Sequence, residues 1–170
     1  FEMMAKYDLP IWLHPWNSPL MSPSIYEKLP QSEQVLYKHV FWALGWPFET
    51  STAMIRLAYS GIFEDYPDIK FITHHCGGMV PFFERRIRIK GSKNLPKFYV
   101  DTAVYGSTPA LMCGCSVFGS DHMLFGTDMP MGSGGTGYGS TENTMMSIER
   151  MEISDADKEN IFKEVGFKRF

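Results

Sequence analysis

Three features are scarce in this sequence: cysteine, long apolar runs and net charge. It has 3 cysteines, and Cys113 and Cys115 are too close together for an easy disulfide. An odd count without a disulfide framework is typical of reduced thiols, so we expect an intracellular, cytoplasmic protein. Since no apolar run approaches the ~20 residues of a membrane span, we expect no membrane partner.

The formal net charge is only -3, which gives no general reason to expect a nucleic-acid partner. A local basic run still occurs, and its members are Arg85, Arg86, Arg88, Lys90, Lys93 and Lys97. We interpret this run as a solvated helix face and loop, with a polyanion-binding patch as the alternative. The chain of 170 residues is 44% hydrophobic and 21% charged, which is typical of one globular domain with a substantial core.

Strand-like and helical patterns alternate along the chain. Short apolar segments bounded by proline or glycine predict strands at 9–13, 69–75, 97–100 and 123–127. Helical periodicity and capping residues predict helices at 33–46, 50–63, 80–90, 108–118, 141–151 and from 154 onward. This order calls for an α/β fold with parallel strands and right-handed crossovers. Four such units are half of an eight-fold TIM-type (β/α) barrel, and a free-standing doubly wound sheet is the alternative.

Residues 1–7 have the pattern of the tail of an amphipathic helix. We therefore expect residues 1–170 to form a single domain that is incomplete at its N-terminus. Two segments have loop compositions, the proline-rich residues 15–32 and the glycine-rich residues 132–140. The glycine-rich segment lacks the P-loop lysine and matches no dinucleotide fingerprint, so a flexible lid is favoured over a phosphate cradle.

Three predicted strands end on side chains that can bind a metal: His14, the pair His74 and His75, and Asp128. In a barrel of parallel strands, reactive residues collect at the carboxyl ends of the strands. Imidazoles and a carboxylate that meet there suit a divalent cation, although a histidine can also merely close a strand and an aspartate form a turn. Since adjacent residues of a strand point to opposite faces, we expect His75 to face the site and His74 to be a packing residue.

Five short motifs lie in the same order along the chain: His14-Pro15-Trp16, Gly45-Trp46-Pro47-Phe48-Glu49-Thr50-Ser51, His75-Cys76-Gly77-Gly78-Met79-Val80-Pro81-Phe82, Phe98-Tyr99-Val100-Asp101-Thr102 and Phe125-Gly126-Thr127-Asp128-Met129-Pro130. With them the sequence resembles the metal-dependent amidohydrolase superfamily, in the branch that includes aminocarboxymuconate-semialdehyde decarboxylase. The resemblance covers nearly the whole chain. It implies the C-terminal portion of the barrel, strands five to eight, because the family's first-strand His-x-His or Glu-x-His pair does not occur here.

The resemblance also implies roles for individual residues. His14 and Asp128 match metal ligands after the fifth and eighth strands, and Asp128 also matches a proton-handling group. His75 matches a histidine beside the metal-bound water or substrate, so His75 and Asp128 are the expected catalytic residues. Arg86 matches an arginine that, in some relatives, reaches the site of the neighbouring subunit, which implies a homo-oligomer, dimer or higher.

Two further sets of residues keep two interpretations each. Trp16 and Trp46, together with Trp42, either line a pocket for a flat substrate or pack in the core and loops. Asp101 either hydrogen-bonds a ligand histidine or is a turn residue. We expect a divalent metal, zinc before manganese, in an enzyme that decarboxylates or hydrolyses a small carboxylated planar compound. The alternative is a catalytically incomplete barrel fragment that lacks the first-strand ligands.

Overall fold

The fold is built on four short parallel strands: β1 (Ile11–Leu13), β2 (Phe71–Thr73), β3 (Tyr99–Asp101) and β4 (Met123–Leu124). They form one sheet in the order β1-β2-β3-β4. All three pairings are parallel, and the register places Ile11 opposite Phe71 and Thr73 opposite Val100. The predicted α/β class and parallel sheet are confirmed. The sequential strand order of the described sheet is that of a barrel, whereas a doubly wound sheet reverses its order.

This computed structural model describes residues 1–16, 28–89, 93–131 and 138–163. Its α-helices are α1 (Glu2–Lys6), α2 (Gln31–Val40), α3 (Trp46–Tyr59), α4 (Ile62–Asp65), α5 (Val80–Arg88), α6 (Thr108–Phe118), α7 (Tyr138–Glu149) and α8 (Asp155–Lys163). Most of the proline-rich loop and of the glycine-rich segment lies outside the described residues. None of the described helices is long and apolar enough to cross a membrane.

The predicted helix break at Pro47 is wrong. A π-helical segment, Phe41–Gly45, joins α2 directly to α3, and Pro47 lies in the first turn of α3. A proline is tolerated at that position because its missing N–H leaves no buried donor unpaired. Ser51, near the start of the helix predicted at 50–63, lies inside α3, where its hydroxyl donates to the Pro47 carbonyl at 2.6 Å.

The core lies between the sheet and the helices. Its centre is a group of three phenylalanines, each at most 2% exposed, with ring centroids 5.3–5.8 Å apart: Phe63, Phe71 and Phe98. Helices α3, α6, α7 and α8 each add fully buried apolar side chains, among them Met54, Leu111, Ile148 and Ile161. This packing fixes the carboxyl ends of the strands relative to one another.

Candidate functional site

The carboxyl ends of β1 and β2 bring three imidazole rings together. His14 follows β1, and His74 and His75 follow β2. The ring centroid of His14 lies 5.0 Å from that of His74 and 6.3 Å from that of His75, and the last two are 6.1 Å apart. The structure therefore assembles His14 and His75, as the strand-end pattern predicts, and adds His74.

The prediction that His74 packs away from the site is wrong. Strand β2 ends at Thr73, so the alternation of strand faces no longer applies to the histidines. The backbone turns into the left-handed region directly afterwards, with φ of 56° at His75 and 53° at Cys76. That turn carries both rings to the same side of the sheet edge.

Asp101 is the buried residue that holds this histidine loop. It is 3% exposed at the end of β3, and its Oδ2 lies 2.9 Å from His74 Nδ1. Its Oδ1 accepts the backbone N–H of Ala103 at 3.0 Å and of Cys76 at 3.4 Å. The hydrogen bond that His74 donates to Asp101 raises the pKa of His74 above its ordinary value, against the opposing effect of partial burial. Asp101 thus bonds a histidine and shapes a turn, and whether that histidine is a metal ligand stays a prediction.

The other two histidines are oriented by backbone carbonyls. His14 Nδ1 lies 2.8 Å from the Pro15 oxygen, and His75 Nδ1 lies 2.9 Å from the Ala103 oxygen. A carbonyl only accepts, so Nδ1 carries the proton in each neutral ring and the lone pair is on Nε2. Histidines that bind metals are held in this way, with one ring nitrogen on a protein acceptor and the other toward the ion.

Asp128 lies on the loop after β4 and meets Tyr105, which lies on the loop after β3. The Tyr105 hydroxyl donates to Asp128 Oδ2 at 3.0 Å. Partial burial, followed by this hydrogen bond, raises the pKa of Tyr105 above its ordinary value. The negative charge of Asp128 also contributes to the raised pKa of His74. No sequence pattern pointed to Tyr105, because it stands four residues beyond the end of β3 and belongs to no metal-ligand pattern.

A cavity of about 360 Å³ opens beside His75. Its walls include Trp42, Trp46 and Tyr105 together with small aliphatic residues, so His75 lines a cavity with three large aromatic side chains. Trp46 thus lines a pocket, as one of its two interpretations requires. Trp16 is 77% exposed and is not among the described residues that line this cavity.

Arg86 lies in a different place. It lines an apolar groove between α3 and α5, with Phe48, Ile55 and Phe83 among its neighbours. The described part of the chain therefore does not bring Arg86 to the cavity beside His75.

The donor set fits a divalent cation in kind but is not complete. In the described residues, no group of three or more His, Cys, Asp or Glu side chains is arranged to hold a metal ion. The orientation of His14 and His75, with Nδ1 fixed by carbonyls, and the nearby Asp128 carboxylate are nevertheless the nitrogen and oxygen donors that such an ion takes.

Comparison with known proteins gives the family. The amidohydrolase family, described as "Amidohydrolase", matches residues 1–164. The chain belongs to this family. The amidohydrolase chain is 30% identical to gamma-resorcylate decarboxylase from Polaromonas sp. (strain JS666), over 96% of this chain and 53% of that protein. It is 27% identical to 2-amino-3-carboxymuconate-6-semialdehyde decarboxylase from Dictyostelium discoideum, over 95% of this chain and 44% of that protein.

A solved structure agrees. The crystal structure of dihydroxybenzoic acid decarboxylase from Polaromonas sp. JS666, with bound manganese and the inhibitor 2-nitroresorcinol, superimposes with a TM-score of 0.70 and 25% identity. The match covers 94% of the amidohydrolase chain and 49% of that chain. The chain therefore has the TIM-barrel-type α/β fold of these proteins and spans about half the length of the relatives it matches.

Proposed function

We propose that this chain carries part of the active site of a divalent-metal-dependent decarboxylase that acts on a small, planar carboxylated compound. One observation carries the proposal: His75, with Nδ1 held by the Ala103 carbonyl, lines an aromatic cavity next to His14. The names of the two curated relatives support decarboxylation over hydrolysis, and a catalytically incomplete fragment is the less favoured alternative.

We also propose that the chain is one domain that corresponds to strands five to eight of the barrel. The sequential order of the four parallel strands supports a portion of a barrel, and the resemblance of the motifs favours strands five to eight. A domain incomplete at its N-terminus, a cytoplasmic location and a homo-oligomer stay predictions. Arg86 lies away from the His75 cavity, so a role for it in substrate binding requires a neighbouring subunit. Trp16 as a substrate-binding residue also stays a prediction.

His14 and Asp128 are the residues that would hold the cation, through Nε2 and a carboxylate oxygen. A bound divalent cation polarises a carboxylate or carbonyl oxygen of the substrate. The manganese in the Polaromonas decarboxylase supports manganese over the zinc that the sequence favoured, and elemental analysis of the purified protein distinguishes the two.

His75 is the proposed proton donor to the carbon that loses CO2. Because the Nδ1 proton is committed to the Ala103 carbonyl, His75 donates from Nε2, and it does so in the imidazolium form, in which both ring nitrogens carry a proton. Asp128 is the second proton-handling group. The aromatic walls formed by Trp42 and Trp46 suit the faces of a flat substrate.

A substrate panel tests the proposal. Hydroxybenzoates with an ortho carboxylate and carboxylated dienes would be followed for CO2 release, and amides and lactones for cleavage, with added Mn2+ or Zn2+. We expect CO2 release that falls by about 100-fold or more in His75→Asn. His39→Asn, which changes an exposed histidine of α2, is the control. Cleavage of amides or lactones without CO2 release would favour hydrolysis, and activity on none would favour the incomplete fragment.

A further inference from the structure

An aromatic residue contacts Asp128, and a second one packs on the first. The Tyr105 hydroxyl donates to Asp128 Oδ2 at 3.0 Å. The Trp42 ring meets the Tyr105 ring edge to face, with centroids 5.5 Å apart and planes at 69°. The three groups form a chain of contacts, from the indole ring to the phenol to the carboxylate.

The backbone on both sides of this contact is fixed in an unfavourable conformation. Tyr105 has φ of 53° and Asp128 has φ of 61°, in the left-handed region that residues other than glycine rarely adopt. Such conformations persist where the surroundings determine them, and they cluster at functional sites. The Tyr105 loop is also packed tightly, because a Cβ at Gly106 would come within 3.0 Å of Asn143 in α7.

The π-helical segment places Trp42. An i→i+5 turn inserts one residue into a helix and so rotates the side chains beyond it by about 100° relative to a regular α-helix. Trp42 lies within this segment and lines the cavity beside His75. Trp42 therefore lies where the helix departs from α-helical geometry, and its ring packs against Tyr105.

We propose that Trp42 and Tyr105 are positioning residues that hold the Asp128 carboxylate in a fixed orientation. The inference rests on the proposed function of Asp128. Tyr105 occupies Oδ2 and so fixes the rotation of the carboxylate, which leaves Oδ1 with a defined direction. Trp42 acts one step away, because its ring packs edge to face on the phenol ring and limits its movement. Neither residue belongs to the strand-end motifs.

The test compares two variants that each delete one phenol hydroxyl. Tyr105→Phe removes the donor to Asp128 and keeps the ring. Tyr59→Phe is the matched control, since the Tyr59 hydroxyl donates to the Ile87 carbonyl at 2.5 Å in the groove between α3 and α5. We expect Y105F to weaken Mn2+ binding and to lower kcat for CO2 release, each by about tenfold. KM should stay within about twofold, because a merely pocket-lining residue would act on KM instead.

Trp42→Phe should act in the same direction but less, by about two- to threefold on both quantities. The double variant W42F/Y105F should be no worse than Y105F, since Trp42 acts through the hydroxyl that is already gone. Y59F should change neither Mn2+ affinity nor kcat. Unchanged Mn2+ affinity and kcat in Y105F would overturn the positioning role.

A third readout needs neither metal nor activity. The indole N–H resonance of Trp42, assigned by its loss in W42F, should shift in Y105F and in Asp128→Asn and stay in place in Y59F. An unshifted resonance in both variants overturns the coupling of Trp42 to the Tyr105–Asp128 pair. If the protein shows no CO2 release and no Mn2+ binding, the proposed function fails, and with it the role of these residues in positioning a catalytic group. A shifted resonance would then still support the contacts themselves.

Discussion

The two ends of the sheet differ in composition and in backbone geometry. Near the amino ends of β2 and β3, Phe63, Phe71 and Phe98 form a dry aromatic core. At the carboxyl ends, polar and ionisable side chains stand in loops, and most of the described non-glycine residues with positive φ are found there: His75, Cys76, Tyr105 and Asp128. Each such conformation costs about 1–3 kcal/mol.

The difference indicates that the two ends of the sheet have different roles. The amino-end core supplies the stability that offsets the strained loops, and those loops aim side chains that a relaxed strand would direct elsewhere. Substitutions at the amino end should therefore act mainly on stability, and substitutions at the carboxyl end mainly on activity.

The largest expected effect is a break of the amino-end core. Phe71→Ala removes a side chain that is 0% exposed and leaves a cavity between two other phenylalanines, which should cost about 3–5 kcal/mol of unfolding free energy. Denaturant unfolding measures it. Phe82→Ala, at a ring that is 80% exposed, should cost no more than about 0.5 kcal/mol. Equal costs at the two positions would contradict the assignment of the core.

Asp101→Asn tests the carboxyl end of the sheet. The amide oxygen still accepts the Ala103 N–H, but the amide NH2 group takes the place of Oδ2 and cannot accept the His74 N–H. Activity should therefore fall by about 10–100-fold. The unfolding free energy should fall by about 1–3 kcal/mol, less than in Phe71→Ala. Asp68→Asn, at an exposed aspartate before β2, is the control for both assays. A folded D101N variant with full activity would refute the positioning of the histidine loop by Asp101.

Gly114→Ala tests how tightly the strained loop packs on α6. The new methyl group would overlap the Cys76 sulfur, so the variant should lose about 1–3 kcal/mol of stability. That loss exceeds the gain of about 1 kcal/mol that alanine brings to a helix. The same change in a Cys76→Ala background should cost less, because the sulfur is absent. An identical cost in both backgrounds would show that this contact is not the cause.

The smallest expected effect is on the acid side of the stability profile. Hydrogen bonds from Ser120 and then from Ser154 lower the pKa of Asp157 below its ordinary value. A lowered folded pKa adds stability above the unfolded pKa, and this contribution disappears as the pH falls through the folded value. Thermal unfolding between about pH 7 and pH 3 should therefore depend less on pH in Ser120→Ala than in the unchanged protein. An unaltered profile would show that the hydrogen bond is not coupled to folding.

The sequence predicted the strand–helix order because apolar periodicity and glycine or proline boundaries are local signals. The helix at 108–118 was found with its bounds, and Ser154 caps α8, with its oxygen accepting the Asp157 N–H at 3.1 Å. Strand lengths were overestimated, since β2 stops at Thr73 and the chain turns at once. The sequence predicts a helix break at Pro47, because the π-helical segment that accommodates this proline has no signature in a single sequence.

By itself the sequence determined that metal-competent side chains follow the strands, because strand-end positions are adjacent to local breaks in the chain. Family resemblance then singled out His14, His75 and Asp128 among the candidates. The packing of the loops is what brings His74 beside His14 and His75, bonds Asp101 to the loop after β2, and joins Tyr105 to Asp128, with Trp42 against the Tyr105 ring. The hydrogen bond between Tyr105 and Asp128 joins residues 23 positions apart, and the one between His75 and Ala103 joins residues 28 positions apart. Such contacts depend on left-handed turns and loop packing that no local pattern encodes.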